Sequence, residues 1–115
     1  MELSKDMLEK VYEAIEVAKA TGKIKKGSNE ATKAIEKGSA KLVAVAKDVN
    51  PAEIVMHIPM LCEEKNIPCF QVPSREELGA AAGIDLPTSA IAIIVEGEAK
   101  KIIKELAEST EKKAE

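Results

Sequence analysis

The densest run of chemistry-bearing residues lies between Lys25 and Gly38, where two adjacent lysines precede a Gly27–Ser28 turn and the start of a helix. Turn amides and a helix N-terminus favour an anion, and Lys25 and Lys26 add positive charge beside them. The local chemistry is therefore that of phosphate binding. Asn29, Lys33 and Lys37 recur at i, i+4 and i+8 and share one helical face. Asn29 and Glu30, in the first turn, can present an amide and a carboxylate to base edges. Glu30 has a second reading, because an acid near a helix N-terminus is stabilising without any ligand. Residue chemistry alone leaves RNA recognition and a merely solvated lysine face both open.

Charge distribution sharpens the first of these. Residues 19–47 hold eight lysines against two glutamates, a local net of +6, which leaves −9 for the rest of a chain whose net charge is −3. Such asymmetry makes one face an anion attractor while the acidic remainder favours solubility. Tyr12 and Phe70 are the only aromatic residues. That excludes RNA readers built on rows of stacking aromatics and peptide grooves lined by them.

Catalysis has fewer candidates. Cys62, Cys69 and the single histidine, His57, fall short of the four ligands of a structural zinc site. Neither a phosphate-cradling glycine loop nor a catalytic triad is present. Cys69 as nucleophile would need His57 and an orienting group beside it. Both cysteines read more simply as small buried hydrophobes in a reducing compartment, and His57 as a structural histidine. No cofactor is expected.

The elements that must position these residues follow from periodicity. Ser4 caps a helix whose apolar positions Leu8, Val11, Tyr12, Ile15 and Ala18 have helical spacing, ending near Gly22. A brief strand is expected around Ile24, then a helix with Ala31, Ala34 and Ile35 inward and Gly38 closing it. Leu42–Ala46 is an apolar run of strand length. Asn50, Pro51 and Glu53 mark the start of a third helix, interrupted or restarted at Pro59 and stopping near Asn66. Cys69–Val72 is the next strand. Ser74 caps a short helix stopped by Gly83, the 84–87 segment is a loop, and Ala90–Val95 is the most apolar strand. A final helix runs from about Glu98 into a charged tail, expected to fray over 109–115. This alternation predicts one α/β domain over 1–115, a three-layer α/β/α sandwich with a central mixed sheet of about four strands. With no signal-like or membrane-spanning apolar run, the chain reads as soluble and cytoplasmic.

The 25–38 segment, 42–48, 51–68 and 78–84 together resemble the archaeal large-subunit ribosomal protein family that binds kink-turns and is also a core protein of guide-RNA particles. The likeness covers roughly residues 8–106. It implies a non-catalytic protein that stabilises the kink of a bent RNA duplex, in which a bulge is followed by tandem sheared G·A pairs. By resemblance, Asn29, Glu30 and Lys33 contact the sheared guanines, in a major groove that only the kink opens. Lys26, Gly27, Lys37 and Arg75 hold phosphates. Ile84, Leu86 and Pro87 pack on bulged nucleotides. The implied hosts are ribosomal RNA, box C/D and H/ACA guide RNAs and ribonuclease P RNA. The implied partners are the large ribosomal subunit and the protein subunits of guide-RNA particles, with the free protein a monomer. Lys37 stands where many relatives have arginine, which replaces a bidentate phosphate contact by a point charge. Leu86 likewise replaces an arginine, and Asn50 an acid. The alternatives are a ribosome-only or regulatory paralogue, a small enzyme using Cys69 or His57, and a protein-interaction module using the acidic surface.

Overall fold

The computed structural model describes residues 5–49 and 53–114, with side-chain surroundings for 5–49 and 56–108. Helical spacing places Val11, Ala14, Ile15 and Ala18 on the buried face of α1 (Lys5–Thr21). Leu8 and Tyr12 flank that face, half-buried. Strand β1 (Lys23–Lys26) leads into α2 (Ser28–Glu36), which buries Ala31, Ala34 and Ile35. Gly38, at φ 72°, ends α2: its N–H donates to the Ile35 carbonyl and that of Ser39 to the Ala34 carbonyl. These two bonds satisfy carbonyls that the helix end would otherwise leave unpaired.

Every residue of β2 (Leu42–Ala46) is buried, as are the first four of β4 (Ala90–Val95), as expected of strands covered on both faces. With β3 (Cys69–Val72) they form a sheet of order β1-β4-β2-β3. The β2–β3 pairing is parallel and the two pairings of β4 are antiparallel, so the sheet is mixed. α2 packs on α3 (Glu53–Glu64), while α1 packs against α4 (Arg75–Ala81) and α5 (Lys100–Ala114). The sheet lies between these two groups, giving the α/β sandwich that the sequence predicts. A single 3-10 turn, Gly97–Ala99, joins β4 to α5.

One expectation is corrected: α3 is neither interrupted nor restarted at Pro59 but runs through it. Proline there removes one backbone hydrogen bond and crowds the preceding turn. Ile58 and Cys62, one turn apart on either side of the proline, are both fully buried and hold the two halves in line. The helix ends with Asn66 at φ 58°, and the Ile67 N–H returns to the Cys62 carbonyl. α5 continues as helix to Ala114. The expected caps Ser4, Asn50 and Pro51 lie outside the described residues.

Candidate functional site

Strand directions bring the candidate residues to one place. β1, β2 and β3 all run opposite to β4, so their C-terminal ends share a sheet edge with the start of β4. Backbone bonds stitch this rim together. The Gly27 N–H donates to the Ala90 carbonyl at 2.8 Å, and the Ala46 N–H to the Ser89 carbonyl at 2.9 Å. The Thr88 N–H donates to the Arg75 carbonyl at 3.1 Å, and the Arg75 N–H to Asp48 Oδ1 at 2.9 Å. Lys26, Gly27, Asn29, Glu30, Arg75 and the 84–87 loop therefore belong to one end of the sheet. Lys33 and Lys37 continue the set along α2.

Gly27 shapes the start of α2. At φ 97°, ψ 153° it occupies a region that side-chain-bearing residues essentially avoid, while a Cβ there would meet nothing within 4 Å. The requirement is conformational rather than steric. Having no side chain, Gly27 makes no capping bond to the first-turn N–H groups, which leaves this helix end open. Asn29, Glu30, Lys33 and Lys37 are all exposed, opposite the buried Ala31, Ala34 and Ile35. Among the described residues, none of Lys26, Lys33, Lys37 and Arg75 is held in an ion pair; the only such pair is Lys10–Glu105 at 3.5 Å. Lys26 lies next to the open start of α2, Lys33 and Lys37 follow along its exposed face, and Arg75 shares the rim, a distribution of charge that suits an anion.

The first turn of α4 is closed by contrast. Ser74 Oγ accepts from the N–H groups of Glu76 and Glu77 at 3.2 and 3.3 Å, as its capping role predicts. Asp48 takes the Arg75 N–H, a role for which nothing in the local sequence is a signal. Below, Gly79 lets the 84–87 loop close on α4: a Cβ there would stand 2.1 Å from the Leu86 carbonyl oxygen. The loop leaves Leu86 72% exposed and Pro87 exposed, with Ile84 half-buried. Ile84, Leu86 and Pro87 also line a groove of about 390 Å³ with Ala80, Glu76 and Asp85. Nothing in the sequence spacing of Glu76 and Asp85 marks the two carboxylates as neighbours in this groove. Behind the rim the Tyr12 hydroxyl donates to Glu77 Oε1 at 3.2 Å, and burial first, then the charge of Glu77, push the phenol well above its ordinary value.

The residues considered for catalysis go elsewhere. His57 Nε2 lies 2.8 Å from Thr32 Oγ1, whose proton is used on the Ser28 carbonyl at 2.7 Å. The imidazole is therefore the donor, tying α3 to α2. Cys69 opens β3 at the opposite end of the sheet from the rim. Its thiol is hydrogen-bonded with that of Cys62, and this bond, with burial, pushes the Cys69 thiol up, away from the nucleophilic form. Both cysteines are free, and no group of three or more metal-ligating side chains occurs among the described residues. Nor is any helix among them long and apolar enough to cross a membrane.

Comparison with known proteins gives two findings. Residues 9–103 match the model of a family described as the ribosomal protein L7Ae/L30e/S12e/Gadd45 family. Among solved structures, a Giardia lamblia 15.5kD RNA binding protein superposes with a TM-score of 0.90 at 29% identity, covering 96% of this chain and 92% of that one.

Proposed function

The chain belongs to the ribosomal protein L7Ae/L30e/S12e/Gadd45 family, and from that premise we propose that it is a non-catalytic RNA-binding protein that recognises kink-turns. The observation that carries this reading is the open, uncapped N-terminus of α2 on a rim shared with Arg75 and the apolar 84–87 loop. Phosphates meet the first-turn amides, Lys26, Gly27, Lys37 and Arg75. Asn29, Glu30 and Lys33 face the sheared guanines from the exposed side of α2. Glu30 accepts from guanine donors, and Lys33 donates to an acceptor. Ile84, Leu86 and Pro87 cover bulged nucleotides with aliphatic surface, which suits a protein with only two aromatic residues.

The similarity to a protein named as RNA-binding supports the class of ligand. Kink-turns of ribosomal RNA, box C/D and H/ACA guide RNAs and ribonuclease P RNA are the proposed hosts in the cytoplasm. Holding the kink lets ribosomal or guide-particle subunits assemble on it. The test is electrophoretic binding to a kink-turn and to the same RNA with its G·A pairs replaced. Strong preference for the first is expected, with log affinity falling by about 0.7–0.9 per neutralised phosphate as log salt rises. Equal binding to both RNAs would reduce the site to nonspecific electrostatics.

A further inference from the structure

We propose that Asp48 is a positioning residue for RNA: its carboxylate holds the Arg75 backbone, and through it the 84–87 loop, in the arrangement that meets the bent duplex. The inference rests on the RNA-binding reading above and adds to it a residue that is not itself a ligand contact.

Two bonds fix the Arg75 peptide groups from opposite sides. Asp48, in the turn after β2, accepts the Arg75 N–H at 2.9 Å across a separation of 27 residues. Thr88, at the base of the 84–87 loop, donates to the Arg75 carbonyl at 3.1 Å. Thr88 is itself buried, and its hydroxyl donates to the Ala90 carbonyl at 3.2 Å, beside the point where the Gly27 N–H also lands. A continuous chain of hydrogen bonds thus runs from Asp48 through Arg75 and Thr88 to the strand end on which α2 starts. The exposed Arg75 side chain and the loop that presents Leu86 and Pro87 take their position from the backbone of this one residue.

Asp48 is not needed to form α4. The Ser74 side chain already accepts from Glu76 and Glu77, and its carbonyl accepts from Leu78 at 3.0 Å. Removing the Asp48 carboxylate leaves one N–H at the helix start to water and frees the Arg75 backbone from one side. Folding and positioning are therefore separable at this residue.

The sign of the effect separates positioning from charge. Asp48 is exposed on a rim that phosphates are proposed to approach, so on Coulomb grounds alone its removal tightens RNA binding. Positioning requires the reverse. The experiment measures kink-turn affinity of the full chain across a salt series for Asp48→Ala, Asp48→Asn and Asp48→Glu, with unfolding midpoints alongside. Asp48→Ala should weaken binding about tenfold, the scale of one hydrogen bond to a charged group. Its salt slope should fall by about 0.7–0.9, as expected when one phosphate is no longer neutralised. Asp48→Asn keeps an acceptor oxygen in place and should restore both affinity and slope. Asp48→Glu keeps the charge but displaces the oxygen, and should resemble alanine; it also serves if the alanine variant does not fold. In an Arg75→Ala background, Asp48→Ala should lower the slope no further.

Equal tightening by Asp48→Ala and Asp48→Asn would overturn the proposal in favour of simple charge. So would a lowered unfolding midpoint for Asp48→Ala with unchanged affinity and slope, since that is a structural role only. In both cases the parent still prefers the kink-turn over RNA lacking the G·A pairs. Loss of that preference in the parent would instead overturn the RNA-binding reading, and this inference with it.

Discussion

Replacing Gly27 by alanine isolates backbone conformation from packing. An L-residue Cβ at this position meets no atom within 4 Å, so no steric term enters. What remains is the φ 97°, ψ 153° conformation, which costs a side-chain-bearing residue about 1–3 kcal/mol. Escape to negative φ disturbs the Gly27–Ala90 bond at 2.8 Å and the Ala31–Gly27 bond at 3.0 Å, each worth about 0.5–1.5 kcal/mol net. Either route gives a similar loss, partly offset by about 0.4–1 kcal/mol from the stiffer unfolded chain. The expected net destabilisation is therefore about 1–2 kcal/mol, measured as a lower urea midpoint at unchanged m-value. Gly38→Ala is the matched control, since it also has open space but sits at φ 72°. Asn66 shows that this fold places a non-glycine residue in the same left-handed region, at φ 58°. Gly38→Ala should cost less than Gly27→Ala. Only the Gly27 variant re-aims the start of α2, so only it should lose selectivity for the kink-turn. A Gly27→Ala variant as stable as the parent would refute the reasoning, as would Gly38→Ala proving the more costly of the two.

Glu30→Ala should leave the fold intact and weaken kink-turn binding by about 1–3 kcal/mol, on the scale of base-edge contacts in duplex DNA. Tighter and still selective binding would show Glu30 to be only a helix-end acid. Gly79→Ala places a Cβ 2.1 Å from the Leu86 oxygen, so the loop must move, at about 1–3 kcal/mol of stability. RNA affinity should fall with little change in salt slope, and an unchanged urea midpoint would count against the close approach. Tyr12 has a pKa raised in the fold, so it contributes stability that is complete below its unfolded value near 10 and is lost as pH rises through the alkaline range. Tyr12→Phe should flatten the alkaline limb of stability against pH, and identical limbs for the two proteins would exclude that linkage.

Much of this architecture is written in short-range pattern. Leu42–Ala46 and Ala90–Val95 announce buried strands because five or six consecutive apolar residues need both faces covered. The lysine face of α2 is readable because i, i+4 spacing is local. Pro59 misleads for the opposite reason: its local penalty is real, but tertiary burial of Ile58 and Cys62 outweighs it. Pairings made by topology leave no local trace. Nothing near Asp48 indicates that its partner is the N–H of Arg75. Nor does the spacing of Cys62 and Cys69 show that a turn will place one thiol on the other. Gly79 reads as an ordinary small residue in a helix until the Leu86 carbonyl is laid against it.

On this rim the N-termini of α2 and α4 are treated oppositely. At α4 the first three N–H groups are all taken, one by Asp48 and two by Ser74, and Glu76 and Glu77 add negative charge there. A phosphate arriving at that end meets no open donor from the helix itself, so Arg75 can act only through its side chain. At α2 the cap is a glycine with nothing to offer, and Lys26 and Lys33 lie on the same exposed surface. On the RNA-binding reading, this asymmetry orients the ligand. The charged backbone follows α2, and the unstacked nucleotides, whose exposed faces are apolar, fall over Leu86 and Pro87. Glu30 then becomes intelligible as the acid in the first turn of α2 that guanine donors can satisfy. Glu76 and Asp85, which line the groove with Leu86 and Pro87, disfavour phosphate inside it and leave the Arg75 side chain to meet phosphate outside.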